Sequence, residues 1–445
     1  MKRTPRRPLQ LLVTAGVAAA MLLSGCGGGT KAGQTAQTSD GKGEVKGNIQ
    51  VAWWGGDSRN AKTNAVIDMF EKKNAGVTTE RQSADFAKYF DRLNVQASSK
   101  SLPCAVQMQG RQVNDYVKRQ VLMPLDDMIA AGTINVSDIP PAVLAAGKGT
   151  DGKTYFVPYG AAYDSVAFNK TLAEKAGVGV PDPSYDWDAF VTYLKKAKAG
   201  LPEGKYVVGN SGGATGPINA WTQANGIEMF GKDGKLGFTK EQLTEFWNIW
   251  IDLQKEGITV PPAKAAEQPV GPDQGYLATG DVMVDFIPGN ALANAQKTLT
   301  GRKGGELTSL NYPVGSAGSG NAIFASGFGI SANCDNVPTA AAFINFFTND
   351  PEAGKSFASD NGAATNSKVL DEQLKDTSLP ALKKQELALY QTILKNDPPV
   401  IAFPPGFNAA FQQSFLRNYD EASFGRKTVE QAVDAFFTET NSTLG

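Results

Sequence analysis

Histidine is absent from this 445-residue chain, and cysteine occurs only three times. Without imidazole there can be no Ser-His-Asp or Cys-His nucleophile system, no His-ligated zinc and no haem held by histidine. The charges nearly cancel, with 43 Lys and Arg residues against 44 Asp and Glu residues, so the net charge does not indicate nucleic-acid binding. With 41% hydrophobic and 20% charged residues, the composition is typical of a globular protein of roughly two or three domains.

An apolar run at the N-terminus covers residues 9–23 and follows four basic residues. It is shorter than the ~20 residues that span a bilayer, so we expect residues 1–25 to be a secretory signal peptide. The sequence Leu23-Ser24-Gly25-Cys26 resembles the lipobox of bacterial lipoproteins, in which cleavage leaves Cys26 first and its thiol carries a lipid. Plain secretion with an incidental cysteine is the alternative. Residues 26–47 are predicted to be a flexible tether, so the lipid alone would hold the protein at the outer face of the cell membrane.

Local patterns along the rest of the chain predict a mixed α/β fold. Residues 48–54 read as a strand that ends in two glycines, and residues 60–73 carry apolar side chains at helical spacing. A strand, a glycine turn and a helix form the usual opening of an α/β sheet. Thr239 and Thr428 are each followed three residues later by glutamine, so two later helices are predicted to begin with capping boxes.

Two motifs match enzyme signatures in spacing but not in context. Residues 147–154 satisfy the P-loop spacing, yet a P-loop needs a strand before it and a helix after it. Here a helical stretch precedes the motif and β-like residues follow it, which predicts a polar turn. Residues 209–213 fit G-x-S-x-G, but Ser211 has no histidine to act as its base. We interpret this second motif as a glycine-rich loop after a strand at residues 206–208.

The order of several short motifs resembles the extracellular solute-binding proteins of bacterial ABC importers, family 1, of the maltose- and maltodextrin-binding type. The likeness runs from about residue 48 to residue 440. It rests on the first strand with Trp53-Trp54-Gly55-Gly56, the helix end Val121-Leu122-Met123-Pro124-Leu125-Asp126, the crossing strand at 152–170, Gly280-Asp281-Val282-Met283, the returning strand at 326–331 and the C-terminal segment at 425–432.

The resemblance implies a type II periplasmic-binding-protein fold, with two α/β lobes, hinge segments and a ligand cleft between the lobes. Carried onto this chain, residues 48–160 and 327–349 would form the N-lobe, and residues 161–326 and 350–445 the C-lobe. The family's sheet order would also place the strand at 105–108 antiparallel to the strand at 328–331. We therefore expect a disulfide bond between Cys104 and Cys334, with two buried thiols as the alternative.

A sugar-binding cleft combines aromatic rings with planar polar groups, because rings cover the C–H faces of a sugar and polar groups bond its hydroxyls. This chemistry, together with the positions that the resemblance implies, gives the candidates for ligand contact: Trp53, Trp54, Asp57, Arg59, Tyr89, Gln109, Arg111, Tyr163, Asp164, Trp221, Phe286, Asn290 and Phe407. Neighbouring strand residues face opposite ways, so we expect one of Trp53 and Trp54 to pack in the core and the other to meet the ligand. Ala162 stands where maltodextrin binders carry a ligand-binding glutamate, so the pattern of sugar contacts is altered there.

The leading hypothesis is a binding lipoprotein that captures a carbohydrate, most simply an oligosaccharide, and delivers it to an ABC permease. We expect it to be a monomer without catalytic activity, cofactor, metal or nucleic-acid partner. A first alternative is a binder of another polar solute, such as a phosphoester or a uronate, which a cluster of Arg and Lys in the cleft would favour. A second alternative is a secreted glycosidase that works through two carboxylates and therefore needs no histidine.

Overall fold

The computed structural model describes residues 38–267, 275–396, 398 and 401–444. The predicted signal peptide, Cys26 and most of the predicted tether lie outside the described residues. The strands are β1 (Gly47–Trp54), β2 (Val77–Ala84), β3 (Ala105–Gln109), β4 (Val157–Asn169), β5 (Tyr206–Val208), β6 (Val282–Pro288), β7 (Leu307–Leu310), β8 (Val314–Gly315), β9 (Gly318–Ser319), β10 (Ile323–Ile330) and β11 (Ala363–Ala364).

Helices separate most of the strands. They are α1 (Asp57–Lys73), α2 (Phe86–Ser98), α3 (Gly110–Lys118), α4 (Asp126–Ala130), α5 (Pro141–Ala145), α6 (Lys170–Lys175), α7 (Trp187–Gly200), α8 (Thr215–Ala224), α9 (Lys240–Lys255), α10 (Pro262–Ala266), α11 (Leu292–Arg302), α12 (Val337–Asn349), α13 (Pro351–Phe357), α14 (Ser367–Lys375), α15 (Ala381–Lys395), α16 (Gln413–Ser423) and α17 (Val429–Thr443). A 3₁₀ turn covers Gly289–Ala291, and a π-helical turn covers Phe407–Gln412.

The long strand β4 connects the two halves of the molecule. Its first half pairs antiparallel with β10 and β11, and its second half pairs antiparallel with β6 and β7. On one side of this junction β1 runs parallel to both β2 and β3, and β10 joins β3 to β4. On the other side β5 runs parallel to β6. The mixed α/β fold expected from the sequence is therefore confirmed.

Each half has its own hydrophobic core. The first core draws its buried residues from 49–163 and 323–393, and the second draws them from 166–312 and 403–444. We call these halves the first lobe and the second lobe. A smaller apolar cluster around β6, β7 and α11 belongs to the second lobe. The chain crosses between the cores along β4, again at the start of β10, and a third time after α15.

The third crossing lies later in the chain than expected. Residues 350–393 were expected in the C-lobe, but Ala353, Phe357 and Tyr390 are buried in the first core. The ring of Phe357 lies 5.2 Å from that of Phe347 and 5.5 Å from that of Tyr159, centroid to centroid. Aromatic contacts of this kind hold α13 to the first lobe, and no local sequence signal distinguishes α13 from a helix of the second lobe.

Several local expectations agree with the structure. Both capping boxes are complete, since the Thr239 and Thr428 hydroxyls each accept a bond from the amide of the glutamine three residues later. Residues 147–154 form a turn after α5, closed by a bridge between Lys148 and Thr154. Residues 209–213 form the loop that connects β5 to α8.

Cys104 and Cys334 form a disulfide bond in the first lobe, with their Cα atoms 4.6 Å apart. The pairing follows from the sheet, because β3 and β10 run antiparallel and Ala105 lies opposite Ile330. The amide of Ser331 extends this ladder by donating to the carbonyl of Cys104. One cysteine precedes its strand and the other follows its strand, so the ladder brings them together.

Candidate ligand-binding site

Two neighbouring cavities open where the lobes meet, and Pro288 lines both of them. The first has a volume of about 580 Å³ and combines Arg111 of the first lobe with β4 and second-lobe residues. The second has a volume of about 490 Å³ and lies between the start of α1 and the end of β6. We call them the Arg111 compartment and the Arg59 compartment. Both are of the size that small-molecule sites occupy, and both lie beyond the carboxyl ends of strands, where open α/β sheets bind ligands.

Arg111 is placed by the strand-to-helix turn at the end of β3. Its guanidinium carbon lies 4.5 Å from the centroid of the Phe324 ring and 5.9 Å from that of Phe403. One terminal nitrogen lies 3.6 Å from Oδ2 of Asp164, which is an ion pair but too long for a good hydrogen bond. Among the described residues, the buried Nε of Arg111 has no hydrogen-bond partner. The Arg111 side chain is 27% exposed, so its terminal nitrogens, and not the buried Nε, can meet a ligand.

The partner carboxylate, Asp164, lies on β4 at the junction of the lobes. Burial raises the pKa of Asp164, and the positive charge of Arg111 opposes that rise. A Cβ atom on Gly216 would lie 3.0 Å from Oδ2 of Asp164 and 2.9 Å from the hydroxyl oxygen of Tyr312. Glycine at this position therefore allows the first turn of α8 to approach both polar groups closely.

Aromatic rings form one wall of the Arg111 compartment. Phe286 stacks on Tyr312, with centroids 5.4 Å apart and ring planes at 22°. Tyr419 is almost completely buried, and its hydroxyl donates a bond of 2.7 Å to Oδ1 of Asn210. A Cβ atom on Gly212 would overlap the Tyr419 ring. The glycine-rich loop at 209–213 is thus fitted against Tyr419, and this packing fixes the wall of the cavity.

Asp285 lies on β6 directly behind this loop. A Cβ atom on Gly209 would come within 2.6 Å of Oδ1 of Asp285, and the same oxygen accepts a bond of 2.9 Å from the amide of Phe286. Burial raises the pKa of Asp285 to about 7, although the bond from Phe286 opposes the rise. The cleft therefore has a carboxyl group beside it that changes charge near neutral pH.

The Arg59 compartment is built around one carboxylate, that of Asp360. It accepts bonds from Nε of Arg59 at 3.1 Å, from the Ser58 hydroxyl at 3.0 Å and from Nζ of Lys62 at 3.0 Å. Burial alone would raise the pKa of Asp360, but Lys62 and Arg59 reverse this and lower it. Lys383 also lines the compartment and bonds Glu386 at 2.7 Å.

Six of the predicted contact residues line the two compartments. Arg111, Asp164 and Phe286 line the first, and Asp57, Arg59 and Asn290 line the second. Gln109 is half-buried at the end of β3, two residues before Arg111, and it lines neither compartment. Each compartment therefore contains one of the predicted basic residues.

The other aromatic candidates lie in the cores. These are Trp53, Trp54, Tyr89, Tyr163, Trp221 and Phe407, each less than a tenth exposed. Contrary to the expectation that one tryptophan of the pair meets the ligand, both are buried, because helices cover both faces of a parallel sheet. The hydroxyl of Tyr89 donates to the carbonyl of Gln107, and that of Tyr163 to the carbonyl of Glu386.

A larger cavity of about 960 Å³ lies elsewhere, between α7, α8 and α9, and Trp221 lines it together with Trp187. All of its lining residues belong to the second lobe. A ligand bound there would not touch the first lobe, which makes the cavities between the lobes the candidate ligand site.

Sequence reasoning missed several residues of the cleft. Asn210, Tyr312 and Tyr419 line the Arg111 compartment, and Lys62 and Lys383 line the Arg59 compartment. Asn210 had a usable signal, since it lies in a glycine-rich loop directly after a strand. Lys62 also had one, because it lies one helical turn after Arg59 on α1. Tyr312, Tyr419 and Lys383 have no local signal, because distant chain segments bring them to the cleft. Within the described ranges, no cluster of three or more Asp, Glu, Cys or His side chains could hold a metal ion.

The structure is thus a two-lobed α/β protein with two cavities where the lobes meet. Residues 65–384 match the family model of the bacterial extracellular solute-binding proteins, which is well over half of the chain. The chain belongs to this family.

Individual relatives are distant. A Brucella abortus protein, described only as a candidate binding protein, is 26% identical over 212 residues, which are 45% of this chain and 49% of that relative. The chain therefore matches about half the length of this curated relative. A periplasmic solute-binding protein from Pectobacterium atrosepticum has a TM-score of 0.78 at 20% identity, covering 89% of this chain and 98% of that chain.

A periplasmic oligogalacturonide-binding protein from Yersinia enterocolitica, in complex with saturated digalacturonic acid, is also similar in structure. Its TM-score is 0.75 at 18% identity, and the match covers 89% of this chain and 98% of that chain. At this level of identity, both structural likenesses establish the fold alone.

Proposed function

We propose that this protein is the substrate-binding component of an ABC importer and that it captures a carbohydrate, most simply an oligosaccharide, in the cleft between its lobes. The observation that carries the proposal is the composition of the Arg111 compartment. Stacked rings, Phe286 on Tyr312, lie beside a guanidinium and a carboxylate that are only loosely paired. Rings and planar polar groups are the two kinds of partner that a sugar requires.

Both lobes contribute to the compartment, so a bound sugar would favour the closed arrangement of the lobes. Ligand shifts such an equilibrium only through contacts that differ between the open and the closed state. Arg111 comes from the first lobe, whereas Tyr312 and Asn210 come from the second. Helix α3 also contacts the second lobe directly, because Nδ2 of Asn114 donates to the carbonyl of Phe403 at 2.7 Å.

The proposed role is non-catalytic, and the protein would act as a monomer that passes its sugar to permease subunits. It would be exported and held at the outer face of the cell membrane by a lipid on Cys26. No helix among the described residues is long and apolar enough to cross a membrane. Growth with radioactive palmitate tests the anchor, since the wild type should incorporate the label and Cys26→Ala should not. A wild type that incorporates no label would contradict lipidation at this residue.

A thermal-shift panel of mono- and oligosaccharides tests the main proposal. A ligand present at about 100 times its Kd stabilises the folded state by about 2.7 kcal/mol, which is a clear rise in Tm. We expect a rise with at least one sugar, and a smaller one in the variant Arg111→Gln. Stabilisation by a different solute alone would overturn the carbohydrate proposal. Chromatography of the incubated sugars covers the glycosidase alternative, because cleavage products would overturn the non-catalytic role.

A further inference from the structure

The hydroxyl of Tyr312 is an unbonded polar group in the wall of the Arg111 compartment. Tyr312 lies between β7 and β8, is 2% exposed and lines the cavity. Its hydroxyl has no hydrogen-bond partner among the described residues, whereas that of Tyr419 in the same wall donates to Asn210. Because an enclosed hydroxyl without a partner is costly, this one requires a partner from outside the chain, which is either a ligand or water.

The carboxylate of Asp164 also has unused hydrogen-bonding capacity. Its side chain is 19% exposed and lines the same cavity. Its charged contact with Arg111, at 3.6 Å, is too long for a good hydrogen bond. Asn321 donates to Asp164, but to the backbone carbonyl and not to the carboxylate. Acceptor positions on the carboxylate are therefore available to a group in the cavity.

Tyr312 and Asp164 are held in place from behind. The side chain of Asn321 accepts a bond of 2.8 Å from the amide of Tyr312 and donates one of 2.9 Å to the carbonyl of Asp164. Asn321 is itself buried, and the ring of Tyr312 stacks on Phe286. One amide side chain thus fixes the two backbones relative to each other, and the stacking fixes the ring. The two polar groups are therefore preorganised before a ligand binds.

The two polar groups converge beside the first turn of α8. A Cβ atom on Gly216 would lie 2.9 Å from the hydroxyl oxygen of Tyr312 and 3.0 Å from Oδ2 of Asp164. Because both oxygens lie within 3.0 Å of one point, a single ligand atom can be at hydrogen-bond distance from both. Gly216 lines the cavity, and its lack of a side chain keeps this space open.

The chemistry of the two groups decides which ligand atom suits them. An ionised carboxylate only accepts hydrogen bonds, whereas a tyrosine hydroxyl also donates. A ligand hydroxyl matches both, since it can donate to Asp164 and accept from Tyr312. An ether or carbonyl oxygen has no hydrogen for Asp164. An ammonium group could donate to both, but it would lie close to the guanidinium of Arg111, which repels it.

We infer that Tyr312 is a specificity-determining residue, and that its hydroxyl and the Asp164 carboxylate together bind one free hydroxyl of the ligand. This inference rests on the proposed capture of a carbohydrate and names the part of the carbohydrate that is recognised. Deoxygenation of the ligand at this position removes both hydrogen bonds, and methylation removes the one to Asp164. Asn321 acts as a positioning residue for the pair.

Calorimetric titration of the full mature chain tests the inference. The probe is the sugar that gives the largest rise in Tm within a panel of maltotriose, cellobiose, xylobiose, mannobiose, galactobiose, digalacturonic acid and their monosaccharides. Tyr312→Phe, which keeps the ring on Phe286, should weaken binding of this sugar by about five- to tenfold. Tyr390→Phe is the matched control, because its hydroxyl is buried without a partner in the first lobe, outside both cavity linings. The control should keep the wild-type affinity.

Monodeoxy analogues of the same sugar separate direct contact from an indirect effect of the substitution. One analogue should bind the wild type at least as weakly as Tyr312→Phe binds the parent sugar, and Tyr312→Phe should not weaken that analogue further. If Tyr312→Phe leaves the affinity for the parent sugar unchanged, the hydroxyl binds only water and the inference fails. It fails also if the variant weakens every analogue by the same factor, and in both cases the proposed function stands. No rise in Tm with any sugar of the panel would overturn the proposed function and the inference with it.

Discussion

The guanidinium of Arg111 lies 3.6 Å from the carboxylate of Asp164, although 53 positions separate the two residues along the chain and they lie on different elements. Arg111 lies in the first turn of α3 in the first lobe, and Asp164 lies at the point of β4 where pairing passes from β10 to β6. The pair therefore couples the wall of the cleft to the strand that joins the lobes. Both groups line the cavity, so a ligand that bonds either one changes the environment of the other.

Replacement of Arg111 by glutamine should destabilise the protein by about 1–3 kcal/mol at neutral pH, because Asp164 would stay buried without a nearby cation. Addition of Asp164→Asn to that variant should restore most of the loss. Urea unfolding of the wild type, both single variants and the double variant gives the coupling free energy between the two residues. Additive effects, with no recovery in the double variant, would show that the pair does not interact.

Asp285 should make the stability depend on pH. Its pKa is about 7 in the folded protein against an ordinary value of 3.8. Between about pH 4 and pH 7 the folded protein keeps a proton that the unfolded chain has released, so raising the pH lowers the free energy of unfolding. The slope is at most about 1.4 kcal/mol per pH unit, and the loss is complete above the folded pKa.

Asp285→Asn should remove this contribution while its amide oxygen still accepts the bond from Phe286. The variant should therefore exceed the wild type in stability at about pH 8, and the difference should shrink as the pH falls toward 4. Urea unfolding of both proteins across this range measures the difference directly. A difference that does not vary with pH would mean that Asp285 titrates normally.

Gly212→Ala should distort the wall of the Arg111 compartment without unfolding the lobe. The added methyl group would displace the Tyr419 ring and break its 2.7 Å bond to Asn210, so affinity for the ligand should fall by about tenfold or more. Gly301→Ala in α11 is the control, because a Cβ atom there meets nothing within 4 Å. The control should keep its affinity and gain about 0.5–1 kcal/mol in stability. Unchanged affinity in Gly212→Ala would refute a role for this loop in the cleft.

Removal of the disulfide between Cys104 and Cys334 should destabilise the protein by about 2–5 kcal/mol, since it closes a loop across 230 residues. The double variant Cys104→Ala, Cys334→Ala should melt at a lower temperature than the wild type, and reductant should bring the wild type down to the same Tm. Reductant should leave the variant unchanged. A wild-type Tm that is insensitive to complete reduction would show that β3 and β10 hold this region without the bond.

Most of the fold could be predicted from the sequence because its determinants are local or follow chain order. The capping boxes at Thr239 and Thr428 depend on residues three positions apart, and both are present. The antiparallel placement of β3 and β10 followed from the family resemblance, and the paired cysteines fit it. The membership of α13 and α15 in the first lobe could not be predicted, since either core could bury an amphipathic helix of that kind.

Residues of the candidate site could be predicted from the sequence only where they lie at or just after the end of a strand. Arg59, Arg111 and Phe286 lie in or just after β1, β3 and β6, and each lines a compartment. Aromatic residue type alone did not predict ligand contact. Tyr89 and Phe407 have rings of the kind that stack on sugars, but both are buried in the cores.

The sequence by itself determined the chemistry that this protein lacks, since a chain without histidine cannot use imidazole wherever it folds. It also determined the strand ends and the helix starts, because these depend on neighbouring residues along the chain. Only the tertiary structure decided which charges meet. Lys62, Asp360 and Lys383 are far apart in sequence, yet they form one wall of the cleft because both α1 and the segment leading to α15 pack on the first lobe. The interaction energy of two charges depends on their separation in space, and the packing of the helices sets that separation.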